Sequence, residues 1–206
     1  MSSFNNTLAS NECLGVVLAG GLSSRMGQDK TKLLRNNTDM LNFSKQLLIN
    51  SGVNKIVVSG DQYEIPDKVK KSGPVGGIYS VLSRFPQVKS LLILPVDLPF
   101  MTTKTLAELR IKGELSQKAT YFEGHNLPLY LPNNAYVELF LAKVFANNIL
   151  ANSGQLAEIT TKKTGPSIKA LLQQIPHQAI VCGDSKALFN TNTPEQWQQA
   201  VKQFNF

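Results

Sequence analysis

The residues most suited to chemistry lie between Leu14 and Leu34, in the stretch LGVVLAGGLSSRMGQDKTKLL. It opens on an apolar, β-branched run, Leu14 to Ala19, short enough to be a buried strand. Gly20-Gly21 follows, then Arg25-Met26-Gly27 and Asp29-Lys30-Thr31-Lys32. A strand that breaks into glycines and then into cations is suited to holding an anion. Glycine allows close backbone approach and positive φ. Free backbone N–H groups in such a loop can point at phosphate oxygens. Arg25, with Lys30 or Lys32, adds fixed charge. A Gly-Gly pair alone reads better as a plain turn with a solvated cationic rim; the ordered set of strand, glycines, arginine and Asp-Lys favours phosphate. The spacing matches neither a Walker A loop nor the dinucleotide fingerprint G-x-G-x-x-G.

Asp97 is the second candidate. It follows the apolar run of SLLILP and Val96, and precedes Leu98-Pro99. A carboxylate at the end of a buried strand must be hydrated, paired or metal-bound, because a bare buried charge is costly. Mg²⁺ favours one or two carboxylates together with substrate phosphates. Read locally, Asp97 serves equally well as a cap for the turn to Thr103. A phosphate loop on the same edge tips the balance to a metal ligand.

These residues need elements to hold them. Apolar runs alternate with helical patterns, which predicts an α/β fold, Rossmann-like, with a mostly parallel sheet flanked by helices. Strands are expected at Leu14 to Ala19, Lys55 to Ser59, Ser90 to Pro95, Lys118 to Phe122, Leu127 to Leu131 and Ala179 to Cys182. Helices are expected at Asp39 to Ser51, Ile78 to Phe85, Thr102 to Ile111, Asn133 or Asn134 to about Leu150, Ser167 to Gln174, and from Thr193-Pro194-Glu195 onward, with threonine as cap and proline at the first position. Gly73-Pro74-Val75-Gly76-Gly77 reads as a turn before a helix or as a helix N-terminus that approaches an anion. In open α/β sheets ligands sit beyond the carboxyl ends of the strands, where the Gly20 loop, Ser59-Gly60-Asp61 and Asp97 all fall.

The 206 residues fit one domain over 13–206, behind a polar tail at 1–12 that is expected to be disordered, with a mobile loop at Asn152 to Gly165. A hydrophobic content of 42% supports a full core without disulfides. The net charge of +7 suits polyanionic small molecules; no basic run or motif supports nucleic acid. Cys13 and Cys182 stand outside any C-x-x-C pair and read as idle thiols. No stretch approaches a membrane span and no signal-peptide pattern is present, so a cytoplasmic location is expected.

The ordered set Leu18-Ala19-Gly20-Gly21, Arg25-Met26-Gly27 and Asp29-Lys30 resembles the molybdenum cofactor guanylyltransferase family of nucleotidyltransferases. Gly73-Pro74-Val75-Gly76-Gly77 is similar to the family's Gly-Pro-Leu-Ala-Gly segment. Leu127-Pro128-Leu129-Tyr130 resembles its Pro-Leu-Phe/Tyr strand, with His125 a possible stand-in for a polar residue that usually occupies position 127. Asn190-Thr191-Asn192-Thr193-Pro194-Glu195 resembles its Asn-x-Asn-Thr-Pro-Glu motif. The likeness spans Gly15 to Trp197. Gly20 leans toward guanine, since the cytidylyltransferase branch usually reads Leu-Ala-Ala-Gly. There are departures: Ser59 replaces a family asparagine, Lys30 stands two residues rather than one before the Leu-Leu pair, and Gly165-Pro166-Ser167 occupies the place of a basic residue for which Lys162, Lys163 or Lys169 could compensate. Lys30 keeps the Asp-Lys dipeptide and is preferred to Lys32.

The resemblance implies transfer of GMP from GTP to the terminal phosphate of the molybdopterin cofactor, with Mg²⁺ and release of pyrophosphate. It implies catalytic roles for Arg25, Lys30 and Asp97, with Asp97 the metal ligand. It implies nucleotide contacts at Leu18, Ala19, Gly20, Gly21, Lys30, Ser59, Asp67, Gly73 and Asp97, and puts Asn190 and Asn192 on the cofactor side. GTP and the molybdopterin cofactor are the implied partners, with transient contact to cofactor-delivery proteins and molybdoenzymes. The alternatives are a cytidylyl- or sugar-phosphate nucleotidyltransferase, or a nucleotide-binding protein without turnover.

Overall fold

The computed structural model describes residues 12–20, 29–151 and 165–204. Among the described residues the central sheet has six strands: β1 (Cys13–Leu18), β4 (Lys55–Ser59), β5 (Ser90–Pro95), β6 (Ala119–Phe122), β7 (Leu129–Pro132) and β8 (His177–Ile180), in the order β4-β1-β5-β7-β6-β8. β1 runs parallel to both β4 and β5, and β6 runs parallel to β8. β7 is antiparallel to both its neighbours, so it alone points the other way. The mostly parallel sheet expected from the alternating pattern is therefore present.

Side chains alternate across a strand, and the core divides accordingly. Leu14, Val16 and Leu18 of β1, with Leu91 and Ile93 of β5, face one helical layer. That layer contains α2 (Gly73–Arg84), α4 (Ala135–Ala151) and α5 (Ile168–Leu172). Val17, Leu92 and Leu94 face the other. It contains α1 (Met40–Asn50), α3 (Thr103–Ser116) and α6 (Pro194–Val201). Leu91 and Leu92 are both fully buried, each contributing about 1.5–3 kcal/mol. Strands covered on both faces read as continuous apolar runs, which is why β1 and β5 are legible.

Several boundaries differ from expectation. α2 begins at Gly73 rather than Ile78, because Pro74 fits a first helical turn where its missing N–H costs nothing. α3 continues to Ser116, five residues past the expected end, and stops at Gln117 in the left-handed conformation. β8 lies two residues earlier, paired in register with β6. An unexpected hairpin joins β2 (Leu34–Arg35) to β3 (Thr38–Asp39). Its turn residues Asn36 and Asn37 have φ of 46° and 64°, the left-handed pair that a tight hairpin requires and that asparagine tolerates. The expected tail falls outside the described residues except for Glu12, whose carbonyl accepts from Lys89 N–H at 3.2 Å. The loop expected over 152–165 also lies outside them, except for Gly165.

The chain leaves β1 for α1 on one face and leaves β4 for α2 on the other. Adjacent parallel strands whose exits diverge open a crevice at their carboxyl ends. The β1–β4 pair forms that crevice, with Asp97 beyond the end of β5 on the other side of β1.

Candidate active site

Gly20 and Gly60 bring the two walls of the crevice together. The Ala19 and Gly20 N–H groups both donate to the Ser59 carbonyl, at 2.9 and 3.1 Å. A Cβ on Gly60 would lie 2.9 Å from Gly20 N and 3.0 Å from the Tyr63 ring, and Gly60 has φ of +153°. Only glycine allows this approach at that backbone angle. Asp67 reaches the same place, with Oδ2 4.0 Å from where a Gly20 Cβ would sit. Burial raises the Asp67 carboxyl above its ordinary value and nearby Asp61 adds to this, while Lys70 opposes it.

Ser59 is 1% exposed, and its hydroxyl would lie 2.8 Å from a Cβ on Gly77 of α2. The hydroxyl is thus packed under the helix, and Ser59 meets the crevice through its carbonyl. Leu18 is likewise buried, its carbonyl taken by Val96 N–H at 3.3 Å. Gly73 opens α2 with φ of +67°, and a Cβ added there would meet nothing within 4 Å. Its identity answers to backbone angle rather than crowding. Gly21 and Arg25 lie outside the described residues.

Beyond β5, three residues that are far apart in sequence meet. Lys30 Nζ lies 3.0 Å from Asp97 Oδ2 and donates to Asn192 Oδ1 at 2.8 Å. The Lys30 and Asp97 side chains are each 16% exposed. Asp97 Oδ1 is buried and has no hydrogen-bond partner among the described residues. A buried carboxylate oxygen normally has a partner, so this one is free to take a cation. Asn190 is exposed, two residues from Asn192. Lys32 is exposed on the same turn as Lys30.

The surroundings hold this cluster in place. The Asp97 carbonyl accepts from both Thr191 N–H, at 3.0 Å, and Thr191 Oγ1, at 3.2 Å. Thr191 is 1% exposed. The next residue, Asn192, donates its N–H to Gln196 Oε1 at 2.7 Å, and Thr193 with Gln196 forms a capping box at the start of α6. Arg35, on the β2–β3 hairpin, donates from Nε to the Pro99 carbonyl at 2.7 Å and lies over the Phe43 ring at 4.2 Å. That contact secures the turn just after Asp97.

Lys30 sits at the start of a short 3₁₀ turn, Lys30–Lys32, capped by Asp29. Asp29 Oδ1 accepts from Thr31 N–H at 3.0 Å and from Thr31 Oγ1 at 2.7 Å. Burial alone would raise the Asp29 carboxyl, but the Thr31 bonds outweigh it and hold the carboxyl below its ordinary value. Sequence reasoning used Asp29 only to mark Lys30, and gave no role to Thr31, Tyr63, Thr191 or Gln196. The Asp-x-Thr turn and the Thr-x-x-Gln box were legible signals. Tyr63 and Thr191 gave none, since their partners are remote in sequence.

His125 is exposed and lines an open cleft of about 390 Å³ with Phe100, Lys186, Phe189 and Gln203. Among the described residues no group of three or more His, Cys, Asp or Glu side chains gathers into a metal site. No helix among them is long and apolar enough to cross a membrane.

Residues 15–142 match the family model described as the MobA-like NTP transferase domain. The chain is 33% identical over 192 residues to a molybdenum cofactor guanylyltransferase of Xanthomonas euvesicatoria pv. vesicatoria, covering 91% of this chain and 93% of the relative. It is 35% identical over 197 residues to one from Campylobacter jejuni, covering 92% and 95%. The fold superposes with a TM-score of 0.65 on the crystal structure of molybdopterin-guanine dinucleotide biosynthesis protein A from Archaeoglobus fulgidus, at 21% identity over 92% of this chain and 97% of that one. The chain belongs to the MobA-like NTP transferase domain family and is a nucleotidyltransferase.

Proposed function

We propose that this enzyme transfers GMP from GTP to the terminal phosphate of the molybdopterin cofactor. The names of the relatives support the reaction, and the Lys30–Asp97–Asn192 cluster supports the chemistry. An acceptor phosphate oxygen attacks the α-phosphorus of GTP in line. The bond from that phosphorus to the bridging oxygen breaks, and pyrophosphate leaves. Positioning and charge neutralisation supply most of the rate in such transfers.

Each residue has a role in this reading. The Gly20-Gly21 backbone and Arg25 receive the β- and γ-phosphates. Lys30 neutralises charge on the leaving pyrophosphate. Asp97 would hold Mg²⁺ through its open Oδ1, and the bound ion would neutralise phosphate oxygens at the reacting centre. Asp67 and the N-terminus of α2, opened by Gly73, line the nucleotide side, and Ser59 shapes that wall through its backbone. Asn190 and Asn192 face the acceptor, with Asn192 joined to Lys30. A cytoplasmic setting belongs to the same reading, as do the transient partners that supply the cofactor or take the product.

The observation that carries the proposal is the buried Asp97 Oδ1 beside Lys30, without a hydrogen-bond partner among the described residues. The test is pyrophosphate release by purified protein with molybdopterin cofactor, Mg²⁺ and each of the common nucleoside triphosphates in turn. Release with GTP alone supports the reading. Release with CTP would move the protein to the cytidylyltransferase branch. Absence of release with every nucleotide would overturn it.

A further inference from the structure

Tyr63 stands on the connection between β4 and α2, on the nucleotide side of the crevice. Its N–H donates to the Gly60 carbonyl at 2.9 Å, and its ring packs beside Gly60. Its hydroxyl lies 2.8 Å from Thr31 Oγ1 and 3.4 Å from Asp29 Oδ2. The Asp29 carboxylate only accepts, and the shorter distances set the order: Thr31 gives its hydroxyl proton to Asp29 at 2.7 Å and Tyr63 donates to Thr31 at 2.8 Å, with the 3.4 Å approach to Asp29 Oδ2 a weaker share of the same Tyr63 proton. The result is a directed chain, Tyr63 O–H to Thr31 O–H to Asp29 carboxylate, of the kind in which each bond strengthens the next. Thr31 is 3% exposed, so the chain has little competition from water.

The residue between Asp29 and Thr31 is Lys30. Its backbone is fixed on both sides by this chain, while its amine is aimed at Asp97 and Asn192. The same short connection also anchors the other end of the glycine loop, through Ser59 O to Ala19 and Gly20. Residues 59–63 therefore hold both the departure point and the return point of the phosphate-binding stretch.

We infer that Tyr63 is a positioning residue for Lys30, acting through Thr31 and Asp29. It couples the nucleotide wall to the lysine that reaches Asp97. This inference rests on the reaction proposed above for its kinetic readout, but not for its structural one.

The test uses Tyr63→Phe, which keeps the ring beside Gly60, with Thr31→Val and Thr31→Ser. The first readout is acylation of lysines in the intact protein by an amine-reactive ester, followed by mass spectrometry. Lys30 labelling should rise about fivefold in Tyr63→Phe and in Thr31→Val, as expected for loss of one hydrogen bond. Labelling of exposed Lys32 should stay at the wild-type level, and Thr31→Ser should restore protection of Lys30. The second readout is turnover: kcat should fall about tenfold in Tyr63→Phe while KM for the nucleotide changes little, since misplacing one group affects the transition state most. The double variant should be no worse than the worse single variant, because both hydroxyls belong to one chain. Wild-type Lys30 labelling in Tyr63→Phe, or a rise shared by Lys32, would overturn the inference. If the wild type releases no pyrophosphate the proposed reaction fails, and the labelling result still decides the role of Tyr63.

Discussion

The Lys30 ammonium lies 3.0 Å from Asp97 Oδ2, across 67 positions of sequence. The pair occupies one oxygen of the carboxylate and leaves the other buried and without a partner among the described residues. A cation that binds Asp97 must share it with a fixed ammonium. Lys30→Met should therefore bind Mn²⁺, followed by electron paramagnetic resonance without nucleotide, more tightly than wild type by about fivefold, because the carboxylate is no longer partly engaged. The same variant should turn over more slowly. Weaker Mn²⁺ binding would mean that the lysine helps to organise the site rather than competing for it.

Asp97→Asn should preserve the shape of the turn, since Thr191 bonds the carbonyl and not the side chain. Its melting temperature should stay close to that of wild type. Its kcat should fall by about 10²–10³, the usual loss when a preorganised electrostatic group is removed. A variant that retained wild-type turnover would show that Asp97 is only a turn residue.

Gly60→Ala and Gly73→Ala separate crowding from backbone angle. Gly60 has both a strained angle and neighbours near 3 Å, whereas Gly73 has only the angle. Gly60→Ala should cost about 2–3 kcal/mol and Gly73→Ala about 1 kcal/mol. Each kcal/mol appears as a fall of about 2–4 °C in a thermal melt. Equal losses at the two sites would contradict the close approach of Gly20 and Gly60.

Asp67 and Asp29 should respond to pH with opposite signs. Burial raises the Asp67 carboxyl, so its ionised form destabilises the fold, with stability lost as pH rises through the raised value. Asp67→Asn should therefore melt higher than wild type at neutral pH, and the gain should vanish below about pH 4. The Asp29 carboxyl is held low by Thr31, so its contribution is present at neutral pH and lost as pH falls through the depressed value. Asp29→Asn should melt lower than wild type at neutral pH and converge with it in acid.

Much of the architecture follows from local pattern. β1 and β5 are apolar runs because they are covered on both faces, and the capped helix at Thr193-Pro194 is written in adjacent residues. The Asp-Lys dipeptide after the glycines marks Lys30 over Lys32, and Asp97 stands out as a charge at the end of a buried strand. These features depend on contacts within a few residues, which periodicity and turn chemistry report. The apolar spacing alone starts α2 at Ile78, while Gly73-Pro74 reads equally as a turn or as a helix N-terminus; the helix does begin at Gly73, since proline is at home in a first helical turn.

Other features were settled only by the order of strands in the sheet. Nothing local says that Thr191 will bond the Asp97 carbonyl, that Asn192 will meet Lys30, or that Tyr63 will reach Thr31. Those meetings exist because β4 and β5 flank β1, and because α6 starts beside the exit of β5. Sequence marked which residues have the chemistry suited to phosphate and a cation. Tertiary structure decided which of them share a site, since side chains distant in sequence become neighbours only when the chain has paid the entropy of closing the loops between them.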